Sequence, residues 1–404
     1  MPEAVIVSAA RTPIGRANKG SLKDFRPDDL AAFITKTAVE KVPGLEPSMI
    51  DDLILGCGLP GGEAGNNMGR VVSVLNGWDT VPGATITRYC SSSVQTTRMA
   101  FHAIKAGEGD VFVSAGVETV SRFAKGTSDH IPDTVNHLFD DAQSRTAKTA
   151  ETNEPWHDPR EDGLLPDVYI AMGQTAENVA HLRGVSRQEM DEFAVRSQNL
   201  AEKAINDGFW AREITPVALA DGTVVSADDG PRAGVTYDAI SQLKPVFREN
   251  GTVTAGNCCP LNDGAAAVVI MSDTKAAELG AKPLARIVAT GVSGLSPEIM
   301  GLGPVEATKK ALASAGMSIG DIDLVEINEA FAAQVIPSYQ ELGIDLDRLN
   351  VNGGAIAVGH PFGMTGARLQ NTMLNSLEWH DATTGLITMC VGGGQGMALI
   401  LERL

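Results

Sequence analysis

The sequence is short of cysteine, of clustered histidine and of positive charge, and each shortage excludes a class of protein. Its five cysteines are too few and too scattered over 404 residues to form a disulfide framework. It has no CxxC pair and its seven histidines are isolated from one another, so we expect no metal site. Lys and Arg total 32 against 50 Asp and Glu, and the net charge of -18 disfavours nucleic acid and anionic membranes as partners.

Long apolar runs are also missing. No run is long enough to span a bilayer, and the opening MPEAVIVSAARTP lacks the basic region, apolar stretch and cleavage site of a secretory signal. We therefore expect a cytoplasmic protein. The hydrophobic fraction of 43% is typical of a soluble globular protein, and the length allows two or three domains.

What the sequence does contain is a regular alternation of short apolar runs with segments of helical periodicity. In the first part it predicts strands over 4–9, 51–56 and 110–115 and helices over 27–41, 66–77 and 91–105. From residue 285 it predicts strands over 285–290, 323–326 and 386–390 and helices over 304–316, 329–342 and 366–377. Such alternation indicates a largely parallel sheet covered by helices.

The stretch between these two parts differs from both in polarity and in periodicity. Residues 121–166 are polar and show little periodicity, so we predict an inserted loop region. Two helices are predicted to follow, over 173–181 and 186–206, and Ser186 and Glu189 would form a capping box at the start of the second.

The second part repeats the first at a nearly constant offset. Three matches carry the repeat, at offsets of 271, 270 and 275: Asp52 with Asp323, Cys90 with His360, and Val111 with Leu386. We predict an α/β fold of two duplicated βαβαβα units in an α/β/α/β/α arrangement of layers. The predicted domains are residues 1–120 with 251–273, the inserted domain 121–250, and the C-terminal half 274–404. A pseudo-twofold axis would bring the loops of Cys90 and His360 to a common cleft.

Cys90 and His360 are the first two candidates for chemistry. Cys90 stands between an apolar run and a predicted helix, where unpaired N–H groups and the helix dipole favour a thiolate. His360 lies on a glycine-bracketed loop, from which it could take a proton from a thiol. The alternatives are a small buried cysteine and a histidine that is hydrogen-bonded in a structural turn. The repeat favours the functional interpretation because it places the two residues opposite each other.

Asn328, Cys390 and Gly392 complete the set. Cys390 ends a predicted strand, and the following glycines leave N–H groups free for an oxyanion, although such runs also form plain turns. Asn328 would either hold a water or carbonyl in the cleft or cap a helix. Two cysteines and one histidine near a sheet edge suggest acyl transfer through a thioester, with the acyl group unspecified.

Seven segments of the sequence resemble the thiolase family, in order and across nearly the whole chain. They are VIVSAARTPIG, CSSS at Cys90, MGQTAENVA at Met172, GTVTAGNCCPLNDGAA at Gly251, NEAFAAQ at Asn328, NGGAIAVGHPFGMTGAR at Asn352 and CVGGGQG at Cys390.

The resemblance implies a two-step reaction on 3-ketoacyl-CoA. Cys90, deprotonated by His360, would attack the keto carbon, and Cys390 would protonate the departing acetyl-CoA enolate and then activate coenzyme A. One oxyanion hole would use His360 and a water held by Asn328, and the other the N–H groups of Cys90 and Gly392. The reverse reaction is a Claisen condensation of two acetyl-CoA molecules.

The same resemblance implies a channel for coenzyme A, which would be a substrate rather than a permanently bound cofactor. The residues matched to that channel are Met172, Phe247, Ala255, Cys259, Leu261, Met300, Ala330 and Phe331, with Arg232 matched to the nucleotide end. A place in the ordinary core is the alternative for the apolar residues of this set, above all for Phe247 and Met300.

The sequence departs from the family pattern at four places: Ser93 replaces Gly, Thr87 replaces Asn, Cys259-Pro260 replaces Ser-Gly, and Ala171 replaces a common His. These changes leave the acyl chain length open. A ketoacyl synthase and a non-catalytic acyl-CoA or lipid carrier are the alternative functions. The resemblance also implies a homodimer or homotetramer, of which we expect the tetramer, and a place in fatty-acid β-oxidation.

Overall fold

The computed structural model describes residues 2–125 and 134–404. The strands are β1 Ala4–Arg11, β2 Gly15–Arg16, β3 Asp52–Cys57, β4 Gly83–Ile86, β5 Val111–Thr119, β6 Val217–Ala218, β7 Val224–Val225, β8 Asn262–Ser272, β9 Ala285–Gly294, β10 Leu324–Ile327, β11 Thr384–Val391 and β12 Gln395–Arg403. The helices are α1 Pro27–Glu40, α2 Met68–Leu75, α3 Ser92–Ala106, α4 Asp140–Thr152, α5 Met172–Arg183, α6 Arg187–Asn206, α7 Tyr237–Ile240, α8 Asp273–Leu279, α9 Gly303–Ala315, α10 Ala332–Leu342, α11 Ala355–Val358 and α12 Thr365–Trp379.

The main strands are joined in one hydrogen-bonded path, and its two halves form two sheets with the same internal order. The first runs β4-β3-β5-β8-β1 and the second runs β10-β11-β12-β9, with a parallel bridge between Val325 and Leu349 in the place of β4. β1 and β9 join the sheets through two antiparallel residue pairs, Val5 with Arg286 and Ile6 with Ala285. The common order is what a duplicated unit produces.

Each sheet mixes parallel and antiparallel strands, so the prediction of a largely parallel sheet is wrong. In the second sheet β10 and β11 are parallel, whereas β12 is antiparallel to both β11 and β9. The reason is local: a turn over residues 392–394 returns the chain directly beside β11, and so short a connection permits only antiparallel pairing.

Helices cover and separate the two sheets, which gives the predicted five layers. Apolar side chains of α1 and α2 pack on the outer face of the first sheet, and those of α9 and α10 on the outer face of the second. α3 and α12 lie between the sheets, where their apolar side chains share one core with both. The loops that precede α3 and α12 therefore open at the seam between the halves.

The region from 121 to 250 contains more helix than its composition predicts. α4 lies inside the stretch predicted as loop, because its polar sequence DDAQSRTAKTAET buries only Ala142 and so shows no apolar stripe. Residues 126–133 of the predicted loop lie outside the described residues. The capping box of Ser186 and Glu189 is confirmed at the start of α6.

A buried ionic cluster fixes this inserted region to the core. Arg11 at the end of β1 is fully buried and pairs with Glu213 at 2.5 Å and with Asp228 at 2.7 Å. Removal of Arg11 would leave both buried carboxylates without this partner, which is strongly destabilising. Within residues 2–125 and 134–404, no helix is sufficiently long and apolar to cross a bilayer.

Candidate active site

Cys90 lies in the single turn of 3₁₀ helix, Tyr89–Ser91, that precedes α3. Tyr89 has φ of +44°, a left-handed conformation that is uncommon for a bulky residue and that tends to occur at functional sites. The backbone N–H of Arg88 donates to Ser92 Oγ at 2.9 Å, which closes the turn. This turn aims the Cys90 side chain into the interior, where the residue is 8% exposed.

Thr87 anchors this turn at its N-terminal side. Its hydroxyl donates a 2.9 Å hydrogen bond to the carbonyl of Gly58, in the loop after β3. The Tyr89 N–H donates to the same hydroxyl at 3.4 Å. Thr87 therefore supplies an anchor at the position where the family pattern has Asn.

Burial governs the protonation of Cys90. Desolvation raises the pKa of the thiol to about 11, and this outweighs the hydrogen bonds from the backbone N–H groups of Gly392 and Cys90, which lower it. The expected stabilisation of the thiolate at the helix start is thus present but too weak to ionise the free enzyme. The contact with Gly392 also places Cys90 beside the turn that follows β11.

His360 is fixed through three hydrogen bonds. Its backbone N–H donates to Asn262 Oδ1 at 2.9 Å, its Nδ1 lies 2.6 Å from Thr365 Oγ1, and its Nε2 lies 3.3 Å from Asn328 Nδ2. Because the Thr365 hydroxyl donates to the Pro361 carbonyl at 2.7 Å, it accepts the proton of Nδ1. This assignment leaves the lone pair on Nε2.

The neutral form of His360 prevails at neutral pH. Burial, and after it the charge of Arg368, lowers its pKa to about 3. A neutral imidazole with its lone pair on Nε2 is the form that can accept a proton.

Cys390 is fully buried near the end of β11. Burial raises the pKa of its thiol, and the charge of Cys90 raises it further. The backbone N–H of Asn328 donates a 3.0 Å hydrogen bond to the backbone carbonyl of Thr388, two residues before Cys390. This bond brings the Asn328–His360 pair to the same strand end as the Cys90–Gly392 pair.

Gly392 begins a turn in which Gly393 and Gly394 have φ of +75° and +81°. A Cβ placed on Gly392 would lie 3.4 Å from Cδ2 of Tyr89 and 3.6 Å from the sulfur of Met172. Gly392 therefore sits between the Cys90 turn and the first residue of α5.

The residues matched to the coenzyme A channel fall into two groups. Met172, Phe247, Met300, Ala330 and Phe331 belong to or pack on one apolar cluster that also contains Cys390. The rings of Phe247 and Phe331 are 6.0 Å apart, edge to face. The remaining residues are more open: Cys259 is partly exposed and Ala255, Leu261 and Arg232 are exposed. The first group therefore forms an apolar wall, and the second group leaves its outer end open to solvent.

Glu118 is a residue of this site that the motif analysis missed. It is buried at the end of β5, and its carboxylate accepts the N–H groups of Gly58, Leu59 and Gly363 at 2.7, 3.2 and 2.8 Å. It thus joins the loop that anchors the Cys90 turn to the loop of His360. Burial raises its pKa to about 7. An acidic residue at the end of an apolar strand is a sequence signal for Glu118, whereas Asn262 and Thr365 carry no such signal.

Two family models cover the chain. The model described as "Thiolase, N-terminal domain" matches residues 4–274, and the model described as "Thiolase, C-terminal domain" matches residues 281–403.

Curated relatives match over the full length of the chain and of their own sequences. They include a 3-ketoacyl-CoA thiolase of Bacillus subtilis, 42% identical, a β-ketoadipyl-CoA thiolase of Escherichia coli, 43% identical, and an acetyl-CoA acetyltransferase of Cupriavidus necator, 42% identical. Among solved structures, the dimeric peroxisomal thiolase of Saccharomyces cerevisiae superposes with a TM-score of 0.88 at 34% identity, covering 100% of this chain and 98% of that one.

Proposed function

The chain belongs to the thiolase family and is an acyltransferase, and we propose that it cleaves 3-ketoacyl-CoA with coenzyme A through an acyl group on Cys90. The observation that carries this proposal is the arrangement at the strand ends: a thiol in contact with the N–H of Gly392, and a neutral imidazole whose lone pair is on Nε2, 3.3 Å from the amide nitrogen of Asn328. These are the parts of a nucleophile, an oxyanion donor and a base.

In the first step, Nε2 of His360 takes the proton of Cys90, and the thiolate attacks the keto carbon of the substrate. The C2–C3 bond then breaks, and acetyl-CoA leaves as an enolate that receives a proton from Cys390. The N–H groups of Cys90 and Gly392 would bind one developing oxyanion, and Asn328 with His360 the other. Loss of one such donor typically costs about 3 to 4 kcal/mol of the barrier.

In the second step, the Cys390 thiolate takes the proton of coenzyme A, and the coenzyme A thiolate attacks the acyl group on Cys90. The bond between the acyl group and Cys90 then breaks, the new acyl-CoA leaves, and the Cys90 thiolate takes back its proton from Nε2 of His360. Because burial holds both cysteine thiols protonated in the free enzyme, proton transfer must follow substrate binding. Cys90 therefore stays a protonated thiol between turnovers, until substrate binds.

The apolar wall of Met172, Phe247 and Phe331 supports a pantetheine channel that ends at Gly392. Exposed Arg232 would meet the nucleotide end. Coenzyme A enters and leaves as a substrate, and no permanently bound cofactor is needed for these steps.

Trapping of the acyl-enzyme tests the proposal. Incubation with acetyl-CoA and digestion should give the Cys90 peptide with the mass of an added acetyl group, and Cys90→Ala should abolish both the label and the cleavage of acetoacetyl-CoA. Cys258→Ala is the matched control and should keep both. A label on another cysteine, or turnover by Cys90→Ala, would show that Cys90 is not the acyl carrier.

The finer assignments are proposals of the same kind. We place the chain in the cytoplasm, as a homo-oligomer, and favour the tetramer. The three names among the relatives leave cleavage of 3-ketoacyl-CoA in β-oxidation, cleavage of β-ketoadipyl-CoA and acetyl transfer between acetyl-CoA molecules as the candidate roles. Thiolysis rates across a series of 3-ketoacyl-CoA chain lengths, with 3-oxoadipyl-CoA included, separate these roles.

A further inference from the structure

Gln395 belongs to the glycine-rich string CVGGGQG, but the proposed reaction gives its side chain no role. It is the first residue of β12, and it pairs with Val391 of β11 across the turn of residues 392–394. Its amide nitrogen Nε2 donates to the carbonyl oxygen of Gly392, with 3.4 Å between the two atoms. Gln395 therefore closes the turn whose Gly392 N–H meets Cys90.

Arg88, from the other half of the molecule, binds the oxygen of the same amide. Its guanidinium Nη1 donates a 2.7 Å hydrogen bond to Oε1 of Gln395, and the two residues are 307 positions apart. Gln395 is the one side chain that this guanidinium bonds within the part of the chain that the structure describes. Arg88 is half-buried and lies two residues before Cys90. One amide therefore joins the turn of Cys90 to the turn of Gly392.

The chemistry of these groups fixes which way the amide faces. A guanidinium has hydrogen-bond donors and no acceptor, so Arg88 can bind only the amide oxygen of Gln395. The amide NH₂ group then lies on the opposite side, where the Gly392 carbonyl accepts from it. Without Arg88, the amide is free to flip and to present its oxygen to that carbonyl, so that two acceptors face each other.

The turn needs such a restraint because glycines form it. Gly393 and Gly394 have φ of +75° and +81°, and glycine leaves the backbone more conformational freedom than any other residue. At the β12 end of the turn, the N–H of Leu295 donates to the Gly394 carbonyl at 2.8 Å. At the β11 end, Gln395 donates to the Gly392 carbonyl. Each end of the turn thus has a hydrogen bond that fixes its carbonyl.

We propose that Gln395 and Arg88 are positioning residues, which together hold the N–H of Gly392 toward the oxyanion that forms at Cys90. Gln395 acts on the Gly392 carbonyl, and Arg88 acts by orienting the amide of Gln395. The two turns are close enough for this, because a Cβ placed on Gly392 would lie 3.4 Å from Cδ2 of Tyr89. The proposal rests on the proposed function, in which this N–H binds an oxyanion.

Gln395→Glu tests the role of the amide NH₂ group. A carboxylate keeps the contact with Arg88 and strengthens it by charge, but it has no N–H for the Gly392 carbonyl. We expect kcat for acetoacetyl-CoA cleavage to fall about tenfold or more, with KM for both substrates within about threefold. Single-turnover acetylation of Cys90 by acetyl-CoA, followed by mass, should slow by the same factor. Unfolding should need an unchanged or higher urea concentration, whereas loss of a purely structural residue would lower it.

Two variants of Arg88 separate its hydrogen bond from its bulk. Arg88→Met keeps an unbranched side chain but removes the donor, and kcat should fall about fivefold or more. Arg88→Lys keeps a donor and should hold kcat within about threefold of the unsubstituted value. Arg286→Met is the matched control and should leave kcat unchanged. Arg286 also pairs with a residue of β12, Glu402, but at the opposite end of the β9–β12 ladder from Gln395.

A kcat for Gln395→Glu within about threefold of the unsubstituted value would overturn the proposal. So would equal losses in Arg88→Lys and Arg88→Met, or a fall in the urea midpoint of Gln395→Glu that accompanies its loss of kcat. If Gln395→Glu does not fold, Gln395→Met, which also lacks the donor, takes its place and should show the same fall in kcat. Absence of an acetyl group on Cys90 of the unsubstituted protein would instead contradict the proposed function.

Discussion

Thr97 of α3 donates a 3.0 Å hydrogen bond to Oε1 of Gln370 of α12, and the two residues occupy equivalent positions of the repeat. Their numbers differ by 273, as do the first residues of the two helices, Ser92 and Thr365. Contact between equivalent positions occurs where a pseudo-twofold axis passes. The axis therefore runs between α3 and α12, and each helix start contributes a loop to the same site.

The first prediction concerns Ser93, whose hydroxyl accepts the N–H of Ala367 at 2.9 Å. Ala367 is the third residue of α12, so its N–H is one of the donors that the helix itself leaves unpaired. Ser93→Ala would leave this buried group unsatisfied and should lower the free energy of unfolding by about 1 to 2 kcal/mol. Urea titration measures this change in the free energy of unfolding. Ser144→Ala, on the exposed face of α4, is the control, and an equal effect of both changes would contradict a capping role.

The contacts between the two halves also show what the sequence can predict. The offset between the two halves predicts Cys90 opposite His360, because a duplication preserves spacing even where residue types have changed. The structure places the two residues in the segments that precede the equivalent helices α3 and α12. Ser93 departs from the family pattern, yet its hydroxyl accepts a hydrogen bond from the backbone N–H of Ala367 in the other half. No local signal reveals such a contact, because its acceptor and donor are 274 residues apart.

Other elements escaped prediction for different physical reasons. α4 is a helix without an apolar stripe, so periodicity does not detect it. α10 begins at Ala332 rather than at Glu329, because the carboxylate of Glu329 instead accepts bonds from Ser197 Oγ at 2.6 Å and from the amide of Asn350 at 2.8 Å. Tertiary partners of this kind override a local helix signal.

The second prediction concerns Glu118. A glutamine in its place has one acceptor oxygen and one NH₂ group, so at least one of the N–H groups of Gly58, Leu59 and Gly363 must face another donor. Glu118→Gln should lower kcat by about tenfold or more and unfolding free energy by about 1 to 3 kcal/mol, with KM for coenzyme A nearly unchanged. Steady-state kinetics and urea titration measure both. Exposed Glu108→Gln is the control; a change confined to KM would contradict a positioning role.

The third prediction concerns pH and Glu326, a carboxylic acid buried in β10. Burial raises its pKa to about 8, despite the opposing charge of Arg368, and its Oε2 has no hydrogen-bond partner within the part of the chain that the structure describes. The folded state therefore holds a proton that the unfolded state releases near pH 4.3. Between about pH 4.3 and pH 8 this group lowers the unfolding free energy as pH rises, by at most about 1.4 kcal/mol per pH unit.

Glu326→Gln removes the titrating carboxyl group and keeps a side chain of the same shape. Unfolding free energies at pH 5, 6.5, 8 and 9 should fall less steeply with pH in the variant than in the unsubstituted protein up to pH 8, and the two curves should run parallel above it. Parallel curves throughout would show that Glu326 does not change its proton binding on unfolding.

The last prediction concerns Asn328, whose amide nitrogen lies 3.3 Å from Nε2 of His360 and whose Oδ1 has no hydrogen-bond partner among residues 2–125 and 134–404. A side chain so placed can orient a group beside the imidazole, and its local alternative, a cap of the next helix, is not what it does because α10 begins at Ala332. Asn328→Ala should lower kcat by about 10²- to 10³-fold, the usual effect of removing one oxyanion donor, and leave KM within about threefold. Asn76→Ala, a half-buried asparagine remote in sequence from the site motifs, is the control. A fall in kcat below threefold, with a folded protein by circular dichroism, would remove Asn328 from the oxyanion hole and leave the N–H groups of Cys90 and Gly392 as the donors to test next.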